Sequence, residues 1–227
     1  MASVDLLVLA SSRKRRNRCV AGWDLENERW IRPVSTRTDG ALELEHCVMN
    51  GRWPEVFDVV RVELERPLPT NYQPENWLIA DQPWQLLQQA DPRTIRDDLR
   101  SITDNHDWLL ESTDRRVEGA ALRADPAASS LVLVEPSTLT WRIETPPWGK
   151  QHKADFGVDG QDGIYDFPVT DIPIFAQLQP LDDGNYSRSQ VGIEDTSDVF
   201  LTVSLAEPYA ENDRCYKLVA AVVEVPS

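Results

Sequence analysis

Hydrophobic positions in this chain fall into short runs, many of them with a period of two. The stretch "VDLLVLAS" (4–11) is dense in Val and Leu and short, as a buried strand should be. "RCVAGWDL" (18–25) can return beside it, and "RWIRPVS" (29–35) reads as a third strand. In that third run Trp30 and Arg32 share one face and Ile31 takes the other, with Pro33 marking a strand end or an edge. Val60, Val62 and Leu64 alternate with Arg61, Glu63 and Glu65 in "EVFDVVRVELERPL" (55–68), a further strand.

The period changes after residue 70. "TNYQPENWLIADQ" is punctuated by proline and reads as a linker. "PWQLLQQADPRTIRDDLRSI" is expected to be helical, with Asp91 as N-cap, Pro92 as first helical residue and Ile95, Leu99 and Ile102 on one face. "DWLLES" predicts a second short helix, and residues 114–130 a loop. Strands resume at "SLVLVEP" (130–136) and "LTWRIET" (139–145), a hairpin region with Gly/Asp turns follows, and "VFLTVSLAEPY" (199–209) and "CYKLVAAVVEV" (215–225) close the chain. Short strands with frequent turns argue for barrels, and the lack of regularly alternating helices argues against a parallel doubly wound sheet. The expected fold is mainly β with a helical insert: a first β-barrel over 1–70, linker and helical insert over 71–129, and a second β-barrel over 130–227. No internal sequence repeat supports the division.

Charge sharpens this picture. The chain of 227 residues carries a formal net charge of −15. Residues 1–37 hold eight basic and four acidic side chains, whereas the other 190 hold 15 basic and 34 acidic ones. Five cations crowd into "RKRRNR": Arg13, Lys14, Arg15, Arg16 and Arg18. At a strand-to-strand turn they could grip phosphates, while the acidic bulk repels a long polyanion. Trp30 beside Arg32 offers a stacking platform. Trp77 in "PENW" and Trp148 in the loop "TPPWGK" are further candidates for ligand contact, although eight tryptophans also suit two small cores.

Other chemistry is not signalled. Cys19, His46, Cys47, His106, His152 and Cys215 have no metal-ligand spacing, so no metal site and no cofactor is expected. Phosphate-loop, dinucleotide, nucleophile-elbow and zinc-protease signatures are missing, so no catalytic residue is assigned and no enzyme is expected. The apolar N-terminal run is followed by positive charge instead of preceded by it, the reverse of a signal peptide. No apolar run is long enough to span a bilayer, and three scattered cysteines suit a reducing compartment, so a cytoplasmic protein without membrane contact is expected.

The pieces "SRK" (12–14), "RCVAG" (18–22), "WIRPVS" (30–35), "PENW" (74–77) and "LTVSLAEPY…CYKLVAAVVEV" resemble the bacterial dual OB-containing domain family over nearly the whole chain. The resemblance implies two OB barrels packed together with helical material around them. It marks Arg13, Lys14, Arg18, Trp30 and Arg32, which lie inside the matching motifs, as ligand contacts. Arg15 and Arg16 depart from the glycine-like turn of that family. OB barrels commonly bind single strands or oligosaccharides, so the first expectation is a non-catalytic module for single-stranded nucleic acid or another phosphate-bearing ligand. The rival expectations are a protein-interaction subunit whose acidic half meets a protein partner, and a small-ligand or nucleotide site between the barrels.

Overall fold

The computed structural model describes residues 1–14, 17–49, 51–104, 108–110, 112–160 and 164–227. The first three strands are β1 (Ala2–Lys14), β2 (Asn17–Asp24) and β3 (Arg29–Val34); after helix α1 (Leu44–Cys47) come β4 (Asp58–Pro67), β5 (Asn76–Ile79) and β6 (Gln85–Gln89). Their pairing order is β1-β2-β3-β5-β4, and β4 returns to β1, which closes the sheet. Only β3 and β5 run parallel. This is a five-stranded Greek-key barrel with a helix between its third and fourth strands. The period-two pattern explains its interior: Leu6, Val8, Ile31, Val60, Val62 and Leu64 all point inward and are fully buried. Gly22 is required where β2 crosses β1, because a Cβ there would lie 2.5 Å from the Leu7 carbonyl oxygen.

The second half repeats that order. Helix α2 (Arg96–Ser101), strand β7 (Arg116–Glu118) and helix α3 (Gly119–Ala124) lead into β8 (Leu131–Val134), β9 (Pro136–Glu144), β10 (Gln151–Val158) and β11 (Tyr165–Pro168). Helix α4 (Ile172–Leu178), β12 (Gly184–Tyr186), β13 (Asp198–Tyr209) and β14 (Arg214–Val225) complete the chain. β9 pairs β10 and β10 pairs β11, while β8 pairs β13 and β13 pairs β14. The two sheets join on one side because β8 runs into β9 with one residue between them. They join on the other at a parallel bridge between Val169, just after β11, and Val219 in β14. Counting β8–β9 as one bent strand, the order of the first barrel recurs, again with a helix, α4, between the third and fourth strands. Trp141, Phe156 and Phe167 fill this core.

The barrels are fused rather than strung. A separate apolar cluster unites Leu7, Leu9, Ala10 and Ala21 of the first barrel with Leu131, Leu133, Phe200, Ala220 and Val223 of the second. Leu99 of α2 joins it, flanked by the partly buried Ile95 and Ile102. The β1–β2 register skips Leu9, a bulge that turns its carbonyl outward to accept a 2.6 Å hydrogen bond from Thr202 Oγ1.

Several expected elements differ. The stretch expected as linker and helical insert, 71–129, contains β5 and β6, which both pair with β4 and so extend the first barrel's strands past residue 70. Leu86 and its neighbours take a strand because β4 offers an open edge, a tertiary demand that overrides helix propensity. Asp91 does not cap a helix: it accepts from Arg93 N–H in a turn, and α2 begins at Arg96. Trp108–Leu110 are not helical, and the rest of "DWLLES" lies partly outside the described residues. Residues 114–130 hold β7 and α3 instead of a plain loop. The basic run is less of a turn than expected, because Arg13 and Lys14 belong to β1 and Asn17 to β2.

Because one apolar cluster serves both barrels, they should unfold together. Phe200→Ala, which empties a fully buried ring site between them, should cost about 3–5 kcal/mol and leave a single cooperative transition. Two resolved transitions in calorimetry would show that the barrels are independent.

A cleft between the barrels

The face of β1, β2 and β3 in the first barrel is covered by β8, β13 and β14 of the second, and this places the residues picked from the sequence. Trp30 and Trp23 meet edge to face at 5.7 Å and pack against the shared apolar cluster. Arg32 is only 6% exposed. Its guanidinium lies 3.1 Å from Glu75 and donates to Ser130 Oγ and Ser204 Oγ at 2.8 and 3.1 Å. Glu75 in turn accepts from the backbone N–H and the hydroxyl of Ser130. The second barrel thus buries Arg32 and covers part of Trp30, so the two do not form the fully open platform expected. Arg32 ties the barrels together through a hydrogen-bonded ion pair.

The other cations separate. Arg18 lies over the Trp53 ring at 4.8 Å, and its backbone exchanges hydrogen bonds with Leu42. Lys14 Nζ is 2.7 Å from Glu207 and also donates to the Asp39 carbonyl. Arg13 stands over the Phe175 ring at 4.5 Å, and among the described residues it meets no carboxylate at ion-pair distance. Arg15 and Arg16 lie outside the described residues. Trp77, in β5, packs on the first core beneath Arg29, whose guanidinium is 5.3 Å from its ring. Trp148 is 78% exposed in the β9–β10 connection and does not reach the other candidates.

Arg13, Lys14 and Arg32 converge on a cleft of about 320 Å³ where the β1–β2 hairpin meets β13 and β14. Its floor is apolar, from Ala10, Val20, Ala21, Leu131, Leu205 and Leu218, and Tyr209, half exposed, stands at its rim. Three cations and one carboxylate, Glu207, face it. Small-molecule sites run from roughly 300 to 1,000 Å³, so the cleft has room for one modest ligand. Gln73, Phe175, Glu207 and Tyr209 were not singled out from the sequence. They come from three separate segments, the turn before β5, α4 and β13, and only the packing of the barrels gathers them. Elsewhere, ligand atoms of Glu43, Glu45 and His46 lie within 4.8 Å of one another. The Arg37 guanidinium pairs with Glu43, and His46 Nδ1 accepts from Glu43 N–H, so this group serves to cap α1.

A family model for a dual OB-containing domain matches residues 4–222. The chain belongs to that family. The dual OB assignment fits both barrels, each with the same strand order, and points to a binding module. Neither a curated protein nor a solved structure matches the chain. No described helix is long and apolar enough to cross a membrane.

Asp171 anchors the back of the dual OB cleft. It caps α4 by accepting from Ile174 N–H at 2.7 Å, accepts from Val222 N–H at 3.1 Å, and bridges to Ser12 of β1. Burial pushes its carboxyl up to about 6 from an ordinary value of 3.8. The folded chain thus holds this proton more tightly than the unfolded chain. Its contribution to stability is greatest in acid and declines as pH rises through that window.

Two outcomes follow for the architecture around the cleft. Arg32→Ala strands Glu75 as a buried charge and should cost about 3–5 kcal/mol, measured by urea unfolding. In the same assay, the stability of the unsubstituted protein relative to Asp171→Asn should fall by up to about 3 kcal/mol between pH 4 and 7.5. A difference independent of pH would place the Asp171 carboxyl at its ordinary value.

Proposed function

We propose that this protein binds a small phosphate-bearing ligand, of the size and chemistry of a mononucleotide, in the cleft between its barrels. The observation that carries the reading is the position of Arg13 and Lys14 at the mouth of an apolar cleft. Arg13 is held over Phe175 and, among the described residues, meets no carboxylate at ion-pair distance, and a guanidinium in that state suits a phosphate through paired hydrogen bonds. Leu205, Pro208 and Tyr209 on the opposite wall suit the flat, apolar body of such a ligand.

Size and charge favour this ligand over an extended strand. The face of the first barrel that would carry a strand is occupied by the second barrel, and a strand leaving the cleft would cross a molecule of net charge −15. Local attraction survives because charges beyond a Debye length of about 8 Å are screened at physiological salt.

Titration of nucleoside monophosphates and of short single strands at two salt concentrations tests the reading. Monophosphates should bind, weakening with salt, and Arg13→Ala should weaken them about tenfold or more, the worth of a charged hydrogen bond. Arg13 is exposed, so stability should stay within about 0.5 kcal/mol. A salt slope that grows with strand length would instead indicate backbone tracking. Affinity indifferent to both salt and Arg13→Ala would overturn the proposal.

A further inference from the structure

Beside the main cleft lies a second compartment of about 120 Å³, and the two share Lys14, Cys19, Arg32, Gln73 and Glu207 as their common wall. The part of that wall able to move is the Lys14–Glu207 ion pair, in which both side chains are partly exposed. Glu207 sits where the β13–β14 register slips between Leu205 and Pro208, so Ala206 and Glu207 together oppose Tyr216. Such a bulge frees the strand locally and re-aims a side chain, here onto Lys14.

The smaller compartment carries its own demand. Asn76 is 6% exposed and lines it, and its Oδ1 has no hydrogen-bond partner among the described residues. The orientation of this amide is fixed by a short relay. Gln73 Nε2 donates to the Leu205 carbonyl, which can only accept, so Gln73 Oε1 must receive Asn76 Nδ2. That leaves Asn76 Oδ1, on a residue lining the compartment, as an acceptor with no donor among the described residues. A buried acceptor in that state is costly until a donor reaches it.

We infer that the two compartments form one bipartite site, closed by the Lys14–Glu207 clasp and opened when an anionic group of the ligand replaces Glu207 on Lys14. The inference rests on the phosphate-ligand reading above and adds a second requirement: the ligand presents a hydroxyl or amino donor to Asn76 Oδ1. Phosphate on Lys14 and a sugar or base donor on Asn76 are two parts of one nucleotide. Releasing Glu207 exchanges one ion pair for another, so the ligand's charge is recognised without leaving Lys14 unpaired.

Cys19 allows the clasp to be tested without any ligand. It lines both compartments, whereas Cys47 and Cys215 are fully buried. Glu207→Gln and Glu207→Ala should both raise the alkylation rate of Cys19 by a bulky maleimide several-fold relative to iodoacetamide. The ratio matters because a changed local charge would speed both reagents alike, whereas opening favours the bulky one. With nucleoside monophosphates, Glu207→Gln should bind about fivefold tighter and Asn76→Ala about tenfold weaker, with circular dichroism confirming the fold. An unchanged reagent ratio in both Glu207 variants overturns the clasp. Unchanged monophosphate affinity in folded Asn76→Ala overturns the second subsite. A raised ratio with no monophosphate bound by any variant keeps the clasp and overturns the nucleotide reading instead.

Discussion

Burial of the β1–β2–β3 face against β8, β13 and β14 is the contact on which the rest of the molecule depends. Leu7, Leu9 and Ala21 on one side and Leu133, Phe200 and Val223 on the other leave water together, and this apolar area supplies most of the attraction between barrels. Arg32 and Glu75 lie inside the same contact. A buried ion pair contributes little net stability, since desolvation offsets its Coulomb energy, but it penalises any arrangement in which its members miss each other. The apolar cluster therefore holds the barrels together, and the Arg32–Glu75–Ser130–Ser204 network fixes how they sit.

That fixed arrangement has a consequence for binding. An isolated barrel of this type uses the face around its second and third strands for ligands. Here the second barrel covers that face, burying Arg32 in an ion pair and covering part of Trp30. The corresponding face of the second barrel is spanned by paired charges, with Arg142 held by Asp155, Asp166 and Glu144. Its carboxylate partners hold the Arg142 guanidinium well above the ordinary range. Between the barrels the seam leaves the cleft open, where the end of the first hairpin meets β13. Of the basic run, Arg13 and Lys14 line this cleft, whereas Arg18 packs on Trp53.

The seam is also where the polypeptide departs from regular strand pairing. Leu9 is skipped by its ladder, Ala206 and Glu207 are bulged, and Asp171 holds its carboxyl against two backbone donors. The first two aim a polar group across the junction, the Leu9 carbonyl toward Thr202 and Glu207 toward Lys14. Regular pairing through Ala206 and Glu207 would have removed the bulge at which Glu207 meets Lys14 and lines the cleft.

The sequence by itself determined which segments become strands wherever burial has a period of two, as at Val60, Val62 and Leu64, because a strand's side chains alternate between core and solvent regardless of its partners. It also determined the charge asymmetry and, through the motifs around "RCVAG" and "WIRPVS", the family. Tertiary structure decided what depends on partners. Residues 85–89 could satisfy a helical pattern, but the open edge of β4 made them a strand. "DIPIFAQL" carried a helix that the pattern did not betray, set by the Asp171 cap and the fit of Ile174 and Leu178 into the second core. The repeated strand order left no repeat in the sequence, since a barrel asks only for apolar positions facing inward and not for particular residues. The exposure of Trp30 and Arg32 and the gathering of Asn76, Gln73 and Glu207 could not be read from their own segments. Arg32, Gln73 and Glu207 are each held by contact with chain more than a hundred residues away, and local sequence carries no record of what will be packed against it.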